Sequence, residues 1–197
     1  MMQPSSAKRA SIIAVTAALY TVFFFLSFAI GVPTFTVLYL PIILLGVFPL
    51  WFGWSGLVGS MIGAFIGGVY VEGLPLYLAW VEITTAIVIY GLNWLLIPKS
   101  AAEAKTTKGI IILSSIYALT LFIGTCFILW QFSAVGLFPA EVAWPLLPGT
   151  FALNLPIVLI TCPALIRAVS PKLKSWAMYT GNFAEWRSHR QNQTKPL

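Results

Sequence analysis

Charge is scarce in this sequence. Only 8% of its 197 residues are Asp, Glu, Lys or Arg, where a soluble domain carries about 25%. The deficit makes lipid the expected solvent for most of the chain. Histidine is nearly absent: the single one, His189, lies in the C-terminal tail and reads as a solvated side chain. The two cysteines, Cys126 and Cys162, fall inside apolar runs with no CxxC spacing and read as small buried apolar residues. No G-x-x-x-x-G-K-[ST] loop, no H-E-x-x-H and no G-x-S-x-G occurs. Metal-dependent and nucleophilic catalysis therefore lack their usual parts, so the chain is read as no enzyme, with no cofactor or metal expected. Nor does it carry a site to hydrolyse ATP, so uphill transport would draw on an ion gradient or a partner.

What the sequence does hold is apolar. Hydrophobic residues make up 59% of it, with 15 Gly and 13 Pro and a mean hydropathy of +0.93. Glycine and proline beside apolar runs suit membrane helices better than soluble ones. A spanning helix needs about 20 mostly apolar residues. Runs near this length are predicted at 10–30, 35–50, 52–71, 75–97, 109–131 and 144–169, the second short and parted from the third by only a Pro/Gly turn. The first run is longer than a signal h-region and no small-x-small site follows, so it is read as a span rather than a cleaved signal. The fold expected is an all-α integral membrane protein with six spans, followed by a cytoplasmic tail from 170 to 197. In that tail Trp176, Tyr179, Phe183 and Trp186 recur at helical spacing among Lys and Arg, which predicts a helix on the membrane surface, with a break possible at Gly181-Asn182.

The charges give orientation. With six spans all 11 Lys and Arg fall on one side: Lys8 and Arg9 before the first, Lys99, Lys105 and Lys108 between the fourth and fifth, the rest at or beyond the end of the sixth. The positive-inside rule makes that side cytoplasmic, with both termini there, and argues against reading the net charge of +6 as a nucleic-acid surface. The acids differ. Glu103 and Glu185 sit among the cations, Glu72 and Glu141 fall in outer connections, and Glu82 lies inside the fourth span, roughly 10 Å below its outer end.

Glu82 is the sharpest candidate, because an intramembrane carboxylate is costly unless paired, wet or protonated. Either it sits neutral in a hydrogen-bonded packing contact, or it faces an outward pocket and meets a cationic or donor-rich ligand. Trp80 and Thr85 lie near it on the same span. Asn154, roughly 15 Å below Trp144 on the sixth span, precedes Leu155-Pro156 at a predicted kink. Trp130 and Trp144 serve either the interfacial aromatic belt or a stacking surface. With Gln131 and Thr34 these complete the candidate substrate-binding set. Two small-residue strips stand out. Ala10, Ala14 and Ala18 share one face of the first span, either for packing within the bundle or for docking a partner. Gly59, Gly63 and Gly67 in the third fit internal packing.

Taken together, the pattern resembles the substrate-binding S components of energy-coupling factor (ECF) transporters, a vitamin-uptake family. The likeness extends over residues 7–170. It rests on the length with six spans, the Ala10/Ala14/Ala18 strip, the glycine-rich stretch G-V-F-P-L-W-F-G-W-S-G-L-V-G-S-M-I-G at 46–63, and N-L-P-I-V-L-I-T-C-P-A-L-I-R at 154–167. The resemblance implies capture of a vitamin-like molecule near the outer face under the 31–36 loop. It also implies docking of the alanine face on a membrane coupling subunit driven by two ATPase subunits, then toppling to release inward. An outer half with acids, Trp and no bases suits a cationic or neutral aromatic ligand. The rival expectations are a stand-alone secondary transporter using Glu82 for ion coupling, and a structural subunit of a membrane complex.

Overall fold

The computed structural model describes residues 6–30 and 38–193, with side chains as far as 188. All regular structure among them is helical: α1 (Ser6–Ile30), α2 (Pro41–Ile66), a π turn (Gly67–Val71), a 3-10 turn (Leu76–Leu78), α3 (Trp80–Leu96), α4 (Thr107–Ala134), a short α5 (Ala140–Ala143), α6 (Leu146–Ser175) and α7 (Phe183–Gln193). Five helical stretches are long and apolar enough to cross a membrane: Ser6–Ile30, Pro41–Val71, Leu76–Leu96, Thr107–Ala134 and Ala140–Ser175.

The runs expected at 35–50 and 52–71 thus form one stretch, and its shape is set by Gly53. That residue has φ 50 and ψ −128, outside the helical region; glycine takes such angles without a Cβ penalty. Contacts on either side run in opposite order. After the break, Gly59 abuts Thr16, Gly63 abuts Tyr20 and Gly67 abuts Phe24, so 54–66 runs parallel to α1. Before the break, Tyr39 meets Glu82 and Leu45 meets Asn93, so 41–52 runs parallel to α3. Against the second leg α3 runs the other way, with Glu82 beside Gly68 and Tyr90 beside Gly56. Gly53 is therefore a hairpin between antiparallel legs.

The first leg is the bundle's inner post, with every residue from 41 to 50 buried. At 1.5 Å per residue, 41–52 rises only roughly 18 Å. Proline begins it, where its missing N–H costs nothing. Pro49 leaves the Leu45 carbonyl without a helical donor. Asn93 Nδ2 donates to that carbonyl at 3.2 Å, and Thr120 holds Asn93 Oδ1 at 2.8 Å. Tyr117 donates to the Gly46 carbonyl at 3.0 Å, and the Tyr90 hydroxyl reaches the carbonyls of Phe48 and Gly53. Buried backbone acceptors are costly to leave unmet, and three neighbouring side chains meet them here.

The hairpin is closed by the tail. The carbonyls of Leu50 and Trp51 accept from the backbone N–H groups of Gly181 (2.9 Å) and Thr180 (3.0 Å). The tail is not the single amphipathic helix expected from 176–186: the backbone turns at Ala177 (φ 51) and Gly181 (φ 83). Tyr179 is buried, Trp176 is exposed, and Phe183 and Trp186 pack on Trp94. Asn182 and Glu185 cap α7 reciprocally, Glu185 N–H donating to Asn182 Oδ1 at 2.9 Å and Asn182 N–H to Glu185 Oε2 at 3.2 Å.

Cations gather at this end. Glu103 pairs with Lys174 and with Lys105 at 2.6 Å, and Lys99 pairs with Glu185 at 3.5 Å. Lys8 Nζ donates to the Trp176 carbonyl at 2.6 Å, and Arg167 Nε to that of Ala104. The two lysines hold the Glu103 carboxyl down at about 2. α6 passes through Pro156, Pro163 and Pro171 as one helix, without the break that Pro156 suggested.

Candidate functional site

The opposite end of the bundle carries a cavity of about 110 Å³. One water needs roughly 10–15 Å³ on that measure, so the space matches several waters or one compact organic molecule. Its walls come from α1, the start of α2, the α2–α3 connection, α3, α4 and α6, and most are apolar: Phe24, Ile42, Ile89, Leu121, Leu129 and Phe132 among them.

The polar groups are few and they converge. Glu82 sits in the first turn of α3, 4% exposed. The Tyr39 hydroxyl donates to its Oε2 at 3.2 Å. Tyr20 on α1 meets the Tyr39 hydroxyl at 2.5 Å, so with Tyr39 donating to Glu82, Tyr20 donates to Tyr39. The Tyr39 backbone N–H donates to Asn154 Oδ1 at 2.8 Å, and Asn154 Nδ2 donates to the Thr150 carbonyl at 2.8 Å. Leu40 N–H donates to Ser27 Oγ at 2.8 Å. The entry to α2 is thereby tied to α1, α3 and α6 around one space.

Glu72 joins this wall from the connection between α2 and α3. The π turn Gly67–Val71 carries the chain to it, its N–H reaching back to the Gly67 carbonyl at 3.0 Å, and Gly73 at φ 79 then turns the chain toward α3. Its Oε2 is buried without a hydrogen-bond partner. Burial pushes the Glu72 carboxyl up to about 7.

The candidate residues divide. Glu82, Thr85 and Asn154 line the cavity. Gln131 is buried just behind it: Thr85 donates to its Oε1 at 2.8 Å, and its Nε2 donates to Thr84 Oγ1 at 2.6 Å. Gln131 thus sets the rotamer of a lining threonine. Trp80, Trp130 and Trp144 do not line the cavity; each is about half exposed, and Trp130 stacks on Phe127 at 5.9 Å. Their outward positions fit the aromatic belt, while the rings on the cavity are Phe24, Tyr39, Phe132 and Phe138. Thr34 and the 31–36 loop lie outside the described residues. Ala10, Ala14 and Ala18 are all exposed, on the face of α1 turned away from Thr16, Tyr20 and Phe24. Gly59, Gly63 and Gly67 instead seat α1 itself. No three metal-capable side chains come together among the described residues.

Tyr20, Tyr39 and Glu72 were not among the candidates. A tyrosine in an apolar run looks like belt or core, and Glu72 reads as a solvated loop acid. The available signal was the pair of glutamates flanking Gly73-Leu74-Pro75, a turn that can bring them to one space. Compared with family models, curated proteins and solved structures, the chain matches none of them.

Proposed function

We propose that this protein is the substrate-capture subunit of an ATP-driven uptake transporter of the ECF type, binding a small cationic or neutral aromatic molecule from outside. It crosses the cell membrane six times, counting both legs of the Gly53 hairpin, with both termini in the cytoplasm. The grouping of Lys8, Lys99, Lys105, Arg167, Lys172 and Lys174 at one end supports that orientation through the positive-inside rule. The cavity then opens toward the outer half.

The observation that carries the reading is a cavity at the level of Glu82, walled by apolar side chains and furnished with a few convergent polar groups. Binding sites have this character, whereas a purely structural subunit gains nothing from an unfilled interior. The exposed Ala10/Ala14/Ala18 face supports close docking of a partner helix on α1. In this scheme two ATPase subunits act through a membrane coupling subunit, and hydrolysis biases the equilibrium between outward and inward orientations.

Vesicles test the division of labour. Vesicles carrying this chain alone should accumulate nothing under an ion gradient, and co-reconstitution with a coupling module and ATP should start uptake. Ion-driven accumulation by the chain alone would instead support a stand-alone secondary transporter.

A further inference from the structure

Two carboxylates, Glu72 and Glu82, face one apolar cavity, and nothing basic faces them. Glu82 arrives from the first turn of α3 and Glu72 from the connection before it. The titratable groups opposite them are Tyr20 on α1 and Tyr39 ahead of α2. α4 and α6 present Thr125, Thr150 and Asn154, which do not titrate. Residues 31–37 contain no ionisable side chain, and every Lys and Arg between 38 and 188 falls in 99–108 or from 167 onward.

Two like charges in an apolar space cannot both ionise cheaply, so an empty pair keeps at least one proton. A positive ligand changes this, because its charge replaces the proton's. The apolar walls then select the kind of cation. A bare metal ion needs several oxygen or nitrogen ligands in place of its water, and the cavity offers two carboxylates among mostly hydrocarbon. An ammonium carried on an apolar body matches both: its charge meets the carboxylates, and the faces of Phe24, Tyr39, Phe132 and Phe138 can hold its methyl groups by cation–π attraction.

We propose that the cavity takes up an organic cation in exchange for a proton, the Glu72–Glu82 pair losing one as the ligand enters. This rests on the capture reading above and names its substrate class. The step balances: one carboxylic O–H bond breaks, its proton leaves to the outer solution, and one positive charge replaces it. Nothing is oxidised or reduced.

The sign follows directly. Protons compete with the cation, so affinity is greatest where the pair is already deprotonated and falls as pH drops. The buried Glu72 carboxyl, near 7, places the change between about pH 7 and pH 5. For one linked proton the affinity falls roughly tenfold per pH unit there.

Calorimetry on the purified full-length chain in detergent tests this with choline and its uncharged isostere, 3,3-dimethylbutan-1-ol. At pH 6, in two buffers of different protonation enthalpy, choline binding should release about one proton per molecule, and the isostere should bind at least tenfold more weakly. Glu72→Gln, checked for an unchanged melting temperature, should bind choline with no proton release and a flat pH profile. Glu82→Gln is the parallel variant should the first not fold. Proton-neutral choline binding, equal binding of the isostere, or no choline binding would each overturn the exchange. The capture reading would survive those results if a neutral small molecule co-purifies with the protein, and would fall if none does.

Discussion

A carboxylate buried beside hydrocarbon with only a tyrosine hydroxyl on it depends on whatever enters next to it. That is the position of Glu82. Glu82→Gln keeps the shape and removes the charge, and it should weaken a cationic ligand by roughly 1–3 kcal/mol, the scale of a charge-assisted hydrogen bond; equilibrium dialysis of the co-purified ligand reads the change. Tyr39→Phe removes the donor to Glu82 and the contact with Tyr20. It should weaken the same ligand by about 1 kcal/mol, while the backbone bond to Asn154 survives. Residue by residue, the site was half legible. Glu82 and Asn154 stood out because polar groups inside apolar runs are expensive. Phe24, Phe132 and Phe138 could not be told from core, and the three tryptophans near the same level face outward. Hydropathy ranks a residue's burial but says nothing of which way its ring points.

Helices were the most legible elements, since length and apolarity alone mark them. The hairpin was not. Pro49 and Gly53 signalled a disruption near 50, but whether the chain bends or reverses depends on the partners of the freed carbonyls, and those come from Asn93 and from 180–181 far along the chain. Gly53→Ala tests this. The substitution forces an L side chain into φ 50, with a Cβ 2.7 Å from Thr180 Cγ2. It should cost about 1–3 kcal/mol of backbone strain, read as a lower melting temperature in detergent, and it should release the tail to proteases. Glu103 tests the other tether. Its carboxyl, held at about 2 against a reference of 4.5, contributes stability above about pH 4.5 that is lost as pH falls toward 2. Glu103→Gln should therefore show at neutral pH the tail proteolysis that the parent chain shows only in acid.

The whole molecule is divided by charge. Lysine and arginine gather with the tail at one end, and Glu72 and Glu82 share a cavity toward the other. This asymmetry was readable from residue positions alone, because spans of known rise convert sequence into depth. The docking role of α1 belongs to the same scale. Its inner face is taken by Gly59, Gly63 and Gly67, and its alanine face is free of the chain's own helices. Ala14→Trp should abolish co-purification with a coupling subunit and leave ligand affinity unchanged; normal assembly would remove α1 as the docking surface. The central claim is that the cavity captures a small molecule, and native mass spectrometry of the detergent-solubilised protein reads it most directly. The account predicts one stoichiometric small molecule, cationic or neutral and aromatic, that is lost or diminished in Glu82→Gln. A protein that carries only lipid and detergent, with no such ligand in either form, would contradict it.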